Sequence, residues 1–114
     1  ITGRQSEIVA QRAANLRIDI IYQGRDDKLD VLDEILSDLG LDYSVVAYAG
    51  DDLPDLACIK KSQLGISVPN AHSLVQEAAD AITSREGGRG AVREICDWIL
   101  SAQGNFDEAV SPYL

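Results

Sequence analysis

The residues with the most chemistry to offer are Gly50-Asp51-Asp52-Leu53-Pro54-Asp55, which directly follow the apolar run Val45-Val46-Ala47-Tyr48-Ala49. Carboxylates this close together repel one another unless a cation or strong donors sit among them, and hard oxygen ligands suit Mg²⁺ better than a transition metal. Their place at a strand end matters, because ligands of open α/β sheets collect at the carboxyl ends of the strands. The same residue types also make ordinary solvated turns, and spacing alone does not separate the two readings.

Two further elements bear on the choice. Thr2-Gly3-Arg4 follows Ile1 at what reads as the end of a strand, and Lys28 lies beyond the short apolar stretch Ile18-Asp19-Ile20-Ile21-Tyr22. On one sheet rim these elements would supply a hydroxyl, an ammonium and a carboxylate-held cation. Phosphoryl chemistry uses that set: cations neutralise the phosphoryl oxygens and a neutral donor orients one of them. Each element alone has a plainer role, Lys28 as a solvated first-turn lysine and Thr2 as a helix-start residue.

The elements that must position these groups follow from periodicity. Ile8, Val9, Ala13 and Leu16 predict a helix over residues 5–16, and Ile18–Tyr22 a buried strand. Leu29, Leu32, Leu36 and Leu39 mark a second helix that stops at Gly40, a residue suited to a left-handed helix end. Residues 45–49 form the next strand, a short helix runs to Lys61, and residues 64–68 make another strand ending at Pro69-Asn70. A helix over 72–79, a short strand over 81–83 and a last helix over 91–103 complete the pattern. Strands alternating with helices at this spacing imply βαβ units, a parallel sheet and right-handed crossovers. The fold class is α/β, a Rossmann-like parallel sheet with flanking helices over residues 1–103, followed by an aperiodic tail over 104–114.

Composition agrees with one globular unit: 114 residues, 46% hydrophobic and 25% charged. A net charge of −9 disfavours nucleic acid or an anionic membrane as partner. A small anionic substrate then needs local cations, for which Lys28, Arg4 and Arg89 are the candidates. With no apolar stretch of membrane-spanning length and no secretory leader, a cytoplasmic protein is expected. Cys58 and Cys96 read as reduced core thiols, His72 as a helix-start residue rather than a metal ligand, and Trp98 as core or subunit interface. The chain holds no Met and begins at a strand end, so it reads as the interior of a longer protein.

Thr2-Gly3, Lys28 and Gly50-Asp51-Asp52 with Asp55 resemble, in order, the second, third and fourth motifs of the haloacid dehalogenase superfamily of phosphohydrolases. Longer strings, Ile1-Thr2-Gly3-Arg4, Tyr22-Gln23-Gly24, Ala47 to Leu53, Gly87 to Glu94 and Ala102-Gln103-Gly104, resemble its 3-deoxy-D-manno-octulosonate 8-phosphate phosphatases. The resemblance implies a capless, Mg²⁺-dependent phosphatase that frees a sugar acid for lipopolysaccharide synthesis. It assigns Asp51 to the metal, with Asp52 and Asp55 orienting the ligand, the metal waters or Lys28. Lys28, Thr2 and Gly3 would hold phosphoryl oxygens and Arg4 the substrate carboxylate. Arg89, in a glycine-flanked loop, reads either as part of a turn and helix start or as a contact to an anionic substrate across a subunit boundary. The resemblance also implies a homotetramer with the tail closing a neighbouring site.

The family's nucleophile and its acid–base partner stand in an Asp-x-Asp motif after the first strand, and no Asp-x-Asp occurs in these residues. The expectation is an incomplete core, lacking that strand, inactive in isolation and weak in metal binding. Two alternatives stay open: a noncatalytic phosphatase-like assembly domain of a sialic-acid-activating enzyme, or a phosphatase of a related nonulosonic acid phosphate. A phosphate-accepting receiver domain uses similar residues, but with the acidic pair first and the lysine last along the chain.

Overall fold

Leu29, Leu32 and Leu36 recur on one face of a twelve-residue helix, and that face is what the sheet side of the molecule is built against. The computed structural model describes residues 1–114. Its elements are α1 (Glu7–Asn15), α2 (Lys28–Leu39), β1 (Ala47–Ala49), α3 (Leu56–Lys61), β2 (Leu64–Ser67), α4 (Ser73–Ala78), β3 (Ala81–Ile82), α5 (Ala91–Ala102) and α6 (Phe106–Val110). Short 3₁₀ turns cover Tyr43–Val45, Leu53–Asp55 and Ser111–Tyr113. The strands form one parallel sheet in the order β1-β2-β3, with Ala47 opposite Leu64 and Ile66 opposite Ala81. The carboxyl ends of β1 and β2 therefore open onto the same rim, as the alternating pattern predicts.

Leu32, Leu36 and Cys58 are buried together, with Leu29, Tyr43, Val46 and Tyr48 packed around them. Ile59 of α3 and Ile66 of β2 are each 1% exposed, closing the layer between helix and sheet. α2 ends as expected at Gly40, whose φ of 66° turns the chain so that the Leu41 N–H reaches back to the Leu36 carbonyl at 2.9 Å. No helix is long and apolar enough to cross a membrane.

The structure corrects four expectations. Residues 18–22 form no strand, because a strand needs a ladder partner along its length and this segment has one only at its end. There the Thr2 N–H donates to the Tyr22 carbonyl, and the N–H groups of Gly24 and Arg25 donate to the carbonyls of Arg4 and Thr2. Ile18 and Ile20 stay about half exposed. Residue 45 belongs to a turn rather than to β1, since the Asp42 carboxylate accepts the Ser44 N–H at 2.8 Å and winds the chain before the strand starts. Cys96 is exposed while Cys58 is buried, because the buried stripe of α5 runs through Ala91 and Ile95 and leaves position 96 beside it. The tail is structured: α6 lies against α5, in a helix too short for periodicity to reveal.

Candidate active site

The site starts where β1 ends. The Gly50 N–H continues the β1–β2 ladder to the Ile66 carbonyl at 3.1 Å, and the Ser67 hydroxyl donates to the Gly50 carbonyl at 3.0 Å. Beyond Gly50 the chain turns through Leu53–Asp55, with Pro54 pre-set for the helical φ and Asp52 as the cap. Asp52 Oδ1 accepts the Leu53 N–H at 2.8 Å, and Asp55 reaches back to the N–H groups of Asp51 and Asp52 at 3.1 and 3.2 Å. This is a reciprocal capping box, so Asp52 and Asp55 use their charge first to hold the loop.

Asp55 is 3% exposed, and its carboxylate is fully occupied. Oδ2 takes the two backbone N–H groups, while Oδ1 accepts the Lys28 ammonium at 2.7 Å and the Tyr48 hydroxyl at 2.9 Å. Burial alone would raise this carboxyl group, yet the hydrogen bonds from Lys28, Tyr48 and the Asp52 backbone outweigh it and hold Asp55 below its ordinary value of 3.8. A carboxyl group depressed in the folded state contributes stability that is complete at neutral pH and is lost as pH falls through the folded-state value. Urea unfolding of the complete protein is therefore expected to show stability falling away below pH 3.8, with Asp55→Asn removing part of that acid dependence.

A cavity of about 600 Å³ opens over this network, and none of its lining residues is hydrophobic. Thr2, Gly3, Arg4, Lys28, Asp51, Asp52 and Asp55 all line it, so the three separate sequence elements do share one rim. Lys28 sits in the first turn of α2 with its side chain 14% exposed, turned inward rather than solvated. Thr2 Oγ1 accepts the Arg4 N–H at 3.2 Å. Asp51 is exposed on the cavity, and its carboxylate enters neither a hydrogen bond nor an ion pair with the chain. That pattern fits a hard cation: the Asp51 carboxylate stands open on a polar cavity, as does that of Asp26, while those of Asp52 and Asp55 are engaged with the loop backbone and Lys28.

Asp26, Pro54, Asn70 and His72 also line the cavity. Asn70 follows the end of β2, and the parallel-sheet rule that placed Asp51 on the rim places Asn70 there equally. It pairs with Gly87 in both directions, accepting its N–H at 2.8 Å and donating to its carbonyl at 3.4 Å. His72 caps α4 as expected, Nδ1 accepting the Leu74 N–H, while its backbone N–H donates to the Asp51 carbonyl at 2.9 Å. Arg89 is exposed and does not line the cavity, since residues 86–89 close a turn of their own through the Arg89 N–H and the Glu86 carbonyl.

The family model of haloacid dehalogenase-like hydrolases matches residues 3–95, the span that holds every one of these cavity residues except Thr2. The chain belongs to the haloacid dehalogenase-like hydrolases. Within that family it is similar to the 3-deoxy-D-manno-octulosonate 8-phosphate phosphatase of Escherichia coli strain K12, at 46% identity over 96% of this chain. It spans 58% of the length of that relative. Its fold superimposes on the 3-deoxy-D-manno-octulosonate 8-phosphate phosphatase of Moraxella catarrhalis, crystallised with magnesium, phosphate and a KDO molecule. The TM-score is 0.97 and the identity 47%, over 100% of this chain and 66% of that one. The cobalt-bound phosphatase of Haemophilus influenzae is similar at 35% identity and a TM-score of 0.86, over 91% and 61% of the two chains.

Proposed function

We propose that the complete protein carrying this chain is a Mg²⁺-dependent phosphatase that hydrolyses 3-deoxy-D-manno-octulosonate 8-phosphate to the free sugar acid and phosphate, for lipopolysaccharide synthesis. The observation that carries the reading is the convergence of Thr2, Lys28 and Asp51 on one cavity without a hydrophobic lining residue. Similarity to phosphatases of this substrate over nearly the whole chain supports it.

In this reading the Lys28 ammonium, anchored on Asp55, offsets charge on the phosphoryl oxygens and on the attacking carboxylate. The Thr2 hydroxyl and the Gly3 N–H hold another phosphoryl oxygen, and Arg4 meets the substrate carboxylate. Asp51 holds the magnesium ion, which when bound neutralises phosphoryl charge; Asp52 and Asp55 keep the Asp51 loop and Lys28 in place. The attacking carboxylate belongs to an Asp-x-Asp pair outside these residues, since residues 1–114 contain none. Arg89, off the cavity of its own chain, contributes to substrate binding from a neighbouring subunit. The protein is a cytoplasmic homotetramer in which the tail, with Tyr113 87% and Leu114 100% exposed, reaches a neighbour's site. Two unpaired thiols are compatible with that reducing location. An assembly-only domain is the poorer reading, because desolvating Asp55 and Lys28 together costs free energy that assembly does not require.

Phosphate release from a panel of sugar-acid phosphates tests this. The complete protein with Mg²⁺ is expected to turn over 3-deoxy-D-manno-octulosonate 8-phosphate fastest and other nonulosonic acid phosphates slower, while the isolated 114-residue chain releases none. Faster turnover of another member of the panel would reassign the substrate. Turnover by the isolated chain would mean that the nucleophile lies within it.

A further inference from the structure

Tyr48 has two halves that do different work. Its ring packs with the buried Leu32, Leu36 and Cys58 and fills the core beneath β1. Its hydroxyl leaves that core and donates to Asp55 Oδ1 at 2.9 Å, the same oxygen that accepts Lys28 Nζ at 2.7 Å. A carboxylate offers about four lone-pair sites. At Asp55 all are taken: two by backbone N–H groups on Oδ2, one by Lys28 and one by Tyr48. Without the hydroxyl, Oδ1 has one lone pair free, and the carboxyl group can swing toward the cavity or toward water.

We infer that Tyr48 is a positioning residue for phosphoryl transfer, its hydroxyl fixing the Asp55 carboxylate so that Lys28 is held at one point on the cavity rim. In the core the hydroxyl meets the weakly bonding Cys58 thiol, and a phenylalanine ring fills the same space. Burial, followed by the neighbouring Asp55 carboxylate, pushes the Tyr48 phenol up from its ordinary value, so the group stays a donor throughout the working pH range. The backbone N–H groups alone place Asp55 in the loop; the tyrosine decides which way its second oxygen faces. The inference rests on the phosphatase reading above, but its structural content, the placement of Lys28, is separable from substrate identity.

The test is Tyr48→Phe in the complete protein, alone and combined with Lys28→Ala. With Mg²⁺ and the sugar-acid phosphate, kcat/KM is expected to fall about ten-fold, as for loss of one hydrogen bond to a charged group, with both a lower kcat and a higher KM. Affinity for inorganic phosphate, measured by titration, is expected to weaken about as much. In the Lys28→Ala background the same change should weaken phosphate no further, because a residue acting through Lys28 has nothing left to act on. A purely structural role would instead lower thermal stability and leave the Lys28 background equally sensitive. If the unsubstituted protein releases no phosphate from the sugar-acid phosphate, the proposed function fails. Tyr48 is then judged on the phosphate titrations alone. Unchanged kcat/KM together with unchanged phosphate affinity in Tyr48→Phe, or equal losses with and without Lys28, overturns the inference.

Discussion

Asp55→Ala is expected to lower kcat of the complete protein by about two to three orders of magnitude and to cost roughly 3–5 kcal/mol of stability, the range for stranding one partner of a buried ion pair. The substitution removes the acceptor of every donor gathered there: Lys28, Tyr48 and the N–H groups of Asp51 and Asp52. Two effects follow, and they can be told apart. The stability loss comes from a largely buried ammonium and backbone donors left without partners. The activity loss, on the order of 10²–10³ in kcat, comes from Lys28 no longer being preorganised toward the phosphoryl group. Asp55→Asn keeps the shape and one of the two acceptor oxygens but removes the charge and sets an NH2 donor against other donors, so it should recover part of the stability and little of the rate. Chemical unfolding and steady-state kinetics on both variants check this. An Asp55→Ala protein with native stability would show that the buried pair is not what holds the loop.

Gly50→Ala carries the second-largest expected effect. A Cβ at position 50 would lie 2.4 Å from both Cβ and Cγ of Asp55 and 2.7 Å from its Oδ2, far inside van der Waals contact. These are not the free end of a long side chain, so the turn itself must move. Overpacking of this kind costs about 1–3 kcal/mol. The displaced carboxylate also loses its alignment with Lys28, so kcat is expected to drop about 10²-fold, a misplacement effect exerted through positioning rather than contact with substrate. Because the added methyl and the Asp55 carboxyl group touch, Gly50→Ala combined with Asp55→Ala should cost less than the sum of the two. Full additivity in a double-mutant cycle would contradict that coupling. The glycine of the Gly-Asp-Asp string is thus explained by close approach, not by any unusual backbone angle.

Much of this was legible in the sequence where local chemistry and global pattern agree. Gly40 ends α2 as its residue type demands, and the strand-end rule put Asp51 on the rim beyond β1; Thr2 and Lys28 share that rim although the segments before them form no strand. The division of labour among the acidic residues was less legible. Asp52 and Asp55 stand at the spacing of a capping box, but only the turn over Leu53–Asp55 shows that their carboxylates face the backbone while that of Asp51 stays open. Tyr48 read as one more apolar residue of a strand, since its ring obeys the core pattern and only its oxygen departs from it. Residues 18–22 read as a strand because their composition is that of one, and composition carries no information about whether a partner lies alongside. Arg89 was attractive for its charge and its glycine neighbours, which in the structure serve the turn leading into α5.

The most direct measurement is a crystal structure of the complete protein with Mg²⁺ and phosphate bound. The account predicts phosphate oxygens on the Thr2 hydroxyl, the Gly3 N–H and the Lys28 ammonium, and the metal on the Asp51 carboxylate. It further predicts Asp55 still paired with Lys28 and Tyr48 and making no bond to the metal. Magnesium coordinated by Asp55, or phosphate bound away from Lys28, would contradict it.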